Sequence, residues 1–498
     1  MTALWTSSPL LLVLLLMLWL RWSSARAGAA GLLLCILVGW CRYALAWDVL
    51  WVSQARGAML ALFVLYIIWP ALLVYNVVLE VGGMALLERW LASRVGDQRA
   101  CGLLLAWALS GVLEGIAGFG VPLAVVSPML VNLGFAPILA VVATAVGHSW
   151  SVTFGDMGVV FEALVAVVGL PGDALALPAS AVLGLACLAS GLGVASMLGL
   201  HRRWPQVVAA GLAMAVTQAL MASSGLRPLA ALAAGVAGLT AGVVLFGSRA
   251  APRSEAGAWG AMVRLSPYLL TALLLALLAF LPGLRDRLAE LRTVVALPTV
   301  ITSTGHVTAG GEAKSIQWLT HPGSAMLASL VIACLLLRRR ALLGEAGMMA
   351  AVRQTVAAAA PASLGVVAMM GLAMLMDHTG MTLSLARAVS EAVGGVYPLL
   401  AGGVGILGAF TTGSNTNSNV LFGPLKLEMS RILGSSAVWL LAAQTAGGAL
   451  GSMVAPAKLV VGCATVGLAG REGLVLRRTV PYAAAIGTLV GLITWALA

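Results

Sequence analysis

The chain has 498 residues, of which 61% are hydrophobic and 9% charged, with a net charge of +11. So few charges cannot cover a soluble protein of this length, and continuous Leu-, Ala-, Val- and Gly-rich runs lack the alternation of an outer-membrane β-barrel. The arginine excess sits between apolar runs, at Arg202-Arg203, Arg338 to Arg340 and Arg477-Arg478, which reads as positive-inside patterning and not as a nucleic-acid surface.

In chain order, the first apolar run, Pro9 to Leu20, looks like a signal peptide. It lacks a basic leading region and many spans follow it, so a retained first helix is expected. Further apolar segments recur near 28–47, 58–79, 101–117, 136–154, 157–171, 174–200, 206–224, 227–247 and 264–283, and then near 321–337, 356–376, 391–410, 435–456 and 478–497. At roughly 20 residues per crossing this amounts to about 12 to 14 transmembrane helices. Placing the arginine-rich loops inside leaves both termini outside. Residues 284–320 differ: a charged patch, Arg285-Asp286-Arg287, leads into a β-branched stretch from Thr293 to Val307 and on to Lys314. This reads as an extramembrane excursion with some extended structure, without committing to a strand pair. The six cysteines, Cys35, Cys41, Cys101, Cys187, Cys334 and Cys463, form no CxxC and read as small core residues, with no disulfide or metal site required.

Two segments break the helical pattern. One runs from Leu113 through Glu114-Gly115, Gly118-Phe119-Gly120 and Pro122 to Gly134 and Pro137; the other runs from Ala409 through Thr412-Gly413 and Ser414 to Asn419, to Gly423-Pro424. Each precedes a second broken segment, around Gly147 to Gly155 in the first half and around Gln444 to Pro456 in the second. Lipid cannot satisfy backbone groups freed by such breaks, so they survive only against protein or a water-filled cavity. Matching breaks in two halves are the best sequence pointer to a transporter's substrate site. The expected organisation is an N-terminal repeat (1–200), with a hairpin near 111–135 and a broken helix near 136–160. Connecting helices follow (201–263), then a C-terminal repeat (264–498) with a hairpin near 408–430 and a broken helix near 435–460. Parity of spans does not show that the repeats are inverted.

Half-helices ending mid-membrane aim their positive N-termini at the site, which favours an anion. The hydroxyl and amide groups of Ser414, Asn415, Thr416, Asn417, Ser418 and Asn419 can bind a carboxylate and a neighbouring hydroxyl. Substrate-binding candidates are therefore Gly118, Phe119, Gly120, Thr412, Gly413 and Ser414 to Asn419. Glu114 is an intramembrane carboxylate and so a functional candidate by default; burial favours its protonated form. His148 and Asp156 are further proton-coupling candidates. Their bland readings are a structural histidine and a helix N-cap before Met157. Asp377-His378 and Glu162 read as loop or interface residues. Lys458 either offsets substrate charge or snorkels to the interface.

These segments resemble the signature regions of the lactate permease family. Glu-Gly-x-x-Gly-Phe-Gly-x-Pro is complete at Glu114 to Pro122, followed by Leu133 to Pro137 and Phe154 to Gly158. Thr412-Gly413-Ser414, Thr416, Ser418-Asn419 and Leu421-Phe422-Gly423 fit the second signature, continued by Gly447-Gly448, Pro456, Thr465 to Leu468 and Glu472-Gly473. The resemblance implies import of lactate or glycolate with protons, on an elevator-type fold with paired hairpins at the substrate. It also places Asn415 where family members usually have Asp, Asn417 where Ser is usual, His148-Ser149 for an Asn-Thr type pair, and Ser452 at a site often held by Lys.

The expectation is an all-α polytopic membrane protein of the bacterial inner (plasma) membrane with two repeats. It imports a small 2-hydroxymonocarboxylate by proton symport; a sodium-coupled carrier of another small organic anion, of dicarboxylate type, is the alternative. Moving a monoanion inward against about 100 mV costs roughly 2.3 kcal/mol, which one proton per carboxylate removes. Glu114 is the first choice for that proton. No cofactor is expected, with the proton as coupling ion and sodium left open. The partners are the anion and the lipid bilayer, with no nucleic acid; a homodimer is left open by analogy with elevator-type carriers. No HExxH or GxSxG is present, and the five histidines are scattered, so an enzyme is not expected.

Overall fold

The computed structural model describes residues 2–20, 22–118, 120–247, 258–302, 305–313 and 315–498. Phe119 and Lys314 lie outside the described residues. Among the described residues, twelve helices are long and apolar enough to cross a membrane, or thirteen if Ser266–Phe280 and Pro282–Ala289, bent by 96°, form one span. The first apolar run forms a helix shorter than a full crossing, Leu4–Met17.

One succession of elements occurs twice. In the first half it is Trp47–Glu80, Gly83–Arg94, a hairpin ending in Val121–Asn132, a broken span from Pro137 to Val168, and Gly172–Met197. In the second it is Glu345–His378, Met381–Val393, a hairpin of Tyr397–Thr412 and Asn415–Leu433, a broken span from Ala437 to Thr465, and Glu472–Leu497. The leading helices have 34 residues each and the closing helices 26. Left-handed glycines, Gly82 (φ +72) and Gly380 (φ +78), start the second element in both. Here the chain must reverse without a Cβ.

The two 34-residue helices pack antiparallel along their length. Gln54 Nε2 donates to Gly371 O (3.2 Å), Trp69 Nε1 to Ser363 Oγ (3.0 Å) and Asn76 Nδ2 to Thr355 Oγ1 (2.9 Å), so numbers rise on one helix as they fall on the other. At Gly57 a Cβ would come within 3.2 Å of Gly371 backbone, so small residues let the helices close up.

The two hairpins enter from opposite ends of the molecule. The outer end of the first carries Asp97, paired with Arg203 at 3.1 Å. At that end Arg264 also donates to Val81 O (2.8 Å), and Ser266–Phe280 carries the chain to the opposite end. There short strands among the described residues from 292 to 317 pair antiparallel, Arg292 with Gln317, Ala296 with Glu312 and Val300 with Thr308. The register shifts by one residue between the Thr293–Ile316 and Ala296–Glu312 pairs. The outer end of the second hairpin, with Glu428 and Arg431, shares a cavity with Ala309 to Ala313 of this ribbon segment. The β-branched stretch thus forms a strand pair, while the charged patch Arg285 to Arg287 is helical, within Pro282–Ala289.

Candidate functional site

Each broken span stops being a regular helix halfway. In the first, Pro137–His148 tightens into a 3₁₀ turn at Ser149–Phe154, and three successive left-handed residues follow: Asp156 (φ +50), Met157 (φ +53) and Gly158 (φ +81). Left-handed backbone costs a non-glycine residue about 1 kcal/mol or more, so two in a row mark a position held by its surroundings. In the second, Ala437–Gly451 gives way to a turn at 452–455 before Pro456–Thr465. The two breaks touch. Thr153 Oγ1 donates to Thr445 O (3.0 Å) and lies 3.1 Å from Thr445 Oγ1.

The hairpin tips arrive at the same place. The first tip turns through Gly118 (φ +39) and Gly120 (φ +84), with Val121 N donating to Gly118 O (2.8 Å). The second turns at Gly413 (φ +69) and Ser414. Ala457 and Lys458, at the start of the second half of the C-terminal broken span, stand between the tips. A Cβ on Gly413 would lie 3.2 Å from Ala457 Cβ, and one on Gly120 would lie 3.9 Å from Lys458 Cγ.

The polar run of the second tip is not a loop. Ser414 caps a helix, its Oγ accepting from Asn417 N (3.3 Å), and Asn415 to Asn419 form the opening turns. The uncompensated N–H groups of that helix start therefore face the junction. Thr412 Oγ1 accepts from Ser414 N (3.3 Å) and donates to Gly408 O (2.7 Å), which fixes the turn.

A cavity of about 180 Å³ occupies the junction. Its lining includes Glu114, Asp156 and Lys458 as its ionisable groups, with Thr412 to Asn417 from the second tip. Ile68, Ala362 and Val366 of the long helices, with Ser24 at the start of helix Ser24–Arg42, close its other side. Lys458 Nζ donates to Glu114 Oε1 at 3.2 Å, and both side chains are buried. The lysine therefore does not snorkel. Asp156 is not a helix N-cap either: its carboxylate lies against the backbone of Gly118, where an added Cβ would sit 2.1 Å from Oδ1, and that oxygen has no hydrogen-bond partner. Glu114 Oε2, Asn415 Oδ1 and Asn417 Oδ1 are likewise buried and unpartnered.

Of the sequence candidates, Glu114, Asp156, Thr412, Gly413, Ser414, Asn415, Thr416 and Asn417 line this cavity, and Gly118 and Gly120 flank it. Ser418 and Asn419 turn into the protein. Ser418 Oγ donates to Gly405 O (3.0 Å) and accepts from Gln444 Nε2 (3.1 Å), while Asn419 Nδ2 donates to Thr445 Oγ1 (2.9 Å) and Val160 O (3.3 Å). His148 does not line the cavity. It is fully buried, donates from Nδ1 to Thr144 O (3.0 Å), and leaves Nε2 without a partner. Glu162 is an interface residue, paired with Arg227 at 2.9 Å.

Sequence reasoning passed over Thr153, Thr445 and the lining from the long helices. The threonines carry a faint signal, as hydroxyls beside the breaks. Ile68, Ala362 and Val366 carry none, since apolar residues in a 34-residue apolar helix look alike.

The profile described as L-lactate permease matches residues 2–498. Similar curated proteins include an L-lactate permease of Streptococcus iniae, 28% identical over 78% of this chain and 82% of that protein. The glycolate permease GlcA of Escherichia coli strain K12 is 26% identical over 95% of this chain and 92% of its own length. An L-lactate permease of Bacillus subtilis strain 168 matches at 26% over the same shares. Among solved structures, the YdaH transporter of Alcanivorax borkumensis is similar at a TM-score of 0.48 and 16% identity, covering 87% of this chain and 84% of that one.

Proposed function

Since the chain belongs to the L-lactate permease family of multi-pass plasma-membrane transporters, we propose that it imports a small 2-hydroxymonocarboxylate, lactate or glycolate, by proton symport. The observation that carries this reading is the junction cavity, where both hairpin tips, the Lys458–Glu114 pair and an uncompensated helix N-terminus converge. The ammonium and the helix N–H groups suit a carboxylate. The unpartnered acceptor oxygen of Asn417, a residue that lines the cavity, suits a ligand that also carries an O–H donor, such as the 2-hydroxyl.

Charge balance supports the proton. Two carboxyl groups and one lysine line the cavity, so with both carboxyls ionised an incoming anion would meet a net negative charge in a buried space. A proton bound with it removes that repulsion and the potential cost of moving the anion inward. Glu114 is already neutralised by Lys458 at 3.2 Å, whereas Asp156 Oδ1 has no partner. The proton role therefore moves from Glu114, the first choice on sequence, to Asp156. Because that carboxylate lies against Gly118, loading it is felt at the N-terminal hairpin tip.

Alternating access is supported by the repeated element order and the antiparallel long helices, as in inverted repeats. The two hairpins and broken spans form the moving body against the long helices. The end bearing Arg203 and Arg264 faces the cytoplasm and the ribbon faces outside. A second reading keeps the fold but couples to sodium; the unpartnered oxygens of Glu114, Asp156 and Asn417, three residues that line the cavity, favour it.

Uptake by purified protein in vesicles tests both. Lactate and glycolate accumulate under an imposed pH gradient without sodium, and pyruvate, succinate and sulfate compete poorly. Accumulation that requires a sodium gradient selects the second reading, and no uptake of either hydroxy acid ends the first.

A further inference from the structure

A second built pocket lies far from the substrate cavity, at the ribbon end. Its volume is about 600 Å³, and among its described lining residues are Arg42, Arg387 and His306 but no Asp or Glu. Among the described residues, neither arginine has an ion-pair partner. Asp377, which acts electrostatically on His306, opens into a neighbouring cavity. The Arg42 guanidinium stacks 5.1 Å over the Trp5 ring, which orients it while leaving its N–H groups free. Helix Met381–Val393 begins here on left-handed Gly380 with no side-chain cap, so its first N–H groups are open. Tyr43 lines the same pocket, is only 8% exposed, and has a buried hydroxyl with no hydrogen-bond partner.

Two bare guanidiniums, a helix N-terminus and an orphan phenol hydroxyl form an oxyanion site. Its surroundings say which oxyanion. Trp5, Trp40, Trp47 and Trp51 are all exposed around this end, and Trp40 packs edge-on to Trp47 at 5.7 Å. Exposed tryptophans gather where lipid head groups meet water. Arg387 sits on the exposed face of an amphipathic helix whose other face buries Met381, Leu385 and Ala386.

We propose that this pocket binds the phosphodiester head group of an anionic membrane phospholipid, with Arg42 and Arg387 holding the phosphate and Tyr43 donating a hydrogen bond. Arginine suits the phosphate of such a head group through paired, planar N–H donors. The lipid ties the two N-terminal helices to the ribbon and to the helix that leads into the C-terminal hairpin.

Purified protein in neutral detergent is mixed with phosphatidylglycerol, phosphatidylethanolamine, inorganic phosphate or lactate. Bound lipid is counted by native mass spectrometry and the unfolding midpoint is followed. Phosphatidylglycerol stays bound and raises the midpoint, and Arg42→Gln with Arg387→Gln lowers its occupancy about tenfold or more. The proposal is overturned if that variant holds as much phosphatidylglycerol as the unaltered protein, or if phosphatidylethanolamine binds equally. It is also overturned if phosphate or lactate alone gives the same shift. Should the double variant not fold, Tyr43→Phe and Arg387→Gln singly give the same readout. Neither arginine lines the substrate cavity, so uptake under saturating substrate reports separately on the transport reading.

Discussion

Lys458 and Glu114 lie 344 positions apart in the chain and 3.2 Å apart in space, joining the C-terminal broken span to the N-terminal hairpin. Removing one partner of a buried ion pair leaves a bare charge and typically costs about 3–5 kcal/mol, while replacing both is far milder. Lys458→Met therefore lowers the unfolding midpoint sharply and abolishes uptake. Lys458→Met with Glu114→Gln regains much of the stability and none of the uptake. Thermal unfolding in detergent, measured beside vesicle uptake, separates the two effects; equal damage in the single and double variants means that the pair is not a unit.

Asp156→Asn removes the free carboxylate and keeps its size. Exchange of labelled for unlabelled substrate across the vesicle membrane continues, because that half of the cycle never requires the proton to leave. Accumulation driven by a pH gradient is lost. Full accumulation by the variant returns the proton to Glu114 or another group.

Gly118→Ala places a Cβ 2.1 Å from Asp156 Oδ1 at a backbone φ of +39. Gly434 also has positive φ (+65) but nothing lies within 4 Å of its added Cβ. Gly434→Ala costs about 1 kcal/mol of backbone strain and leaves transport intact. Gly118→Ala costs more and impairs uptake. Matched unfolding and uptake curves for the two variants check the contrast, and equal behaviour means that the carboxylate does not depend on the tip.

The contact between the breaks is testable by a double-mutant cycle. Thr153→Val and Thr445→Val, alone and together, should show a coupling of about 0.6–1.7 kcal/mol, the range for hydrogen bonds between membrane helices. Additive losses mean that the two broken spans are not joined through these hydroxyls.

The spans, the breaks and the polar tip are written in the sequence because each depends on neighbours along the chain. A helix's backbone hydrogen bonds join residues four apart, so Gly118, Gly120, Gly413 and Pro456 announce interruptions wherever the helix ends up. The strand pairing between 292 and 317 could not be read the same way, since its partners lie up to 25 positions apart and the register shifts along it. Asp156 and Ser414 to Asn419 were visible as chemistry but not as geometry: the first is held in a left-handed turn and the second opens a helix. Packing alone decided that Lys458 meets Glu114, that Asp156 lies on Gly118, and that Ser418 and Asn419 face Gln444 and Thr445 instead of the cavity. Contacts between separate helices, whether 26 or 344 positions apart, form only when elements that do not know of one another locally are pressed together, and no periodicity encodes which face each presents.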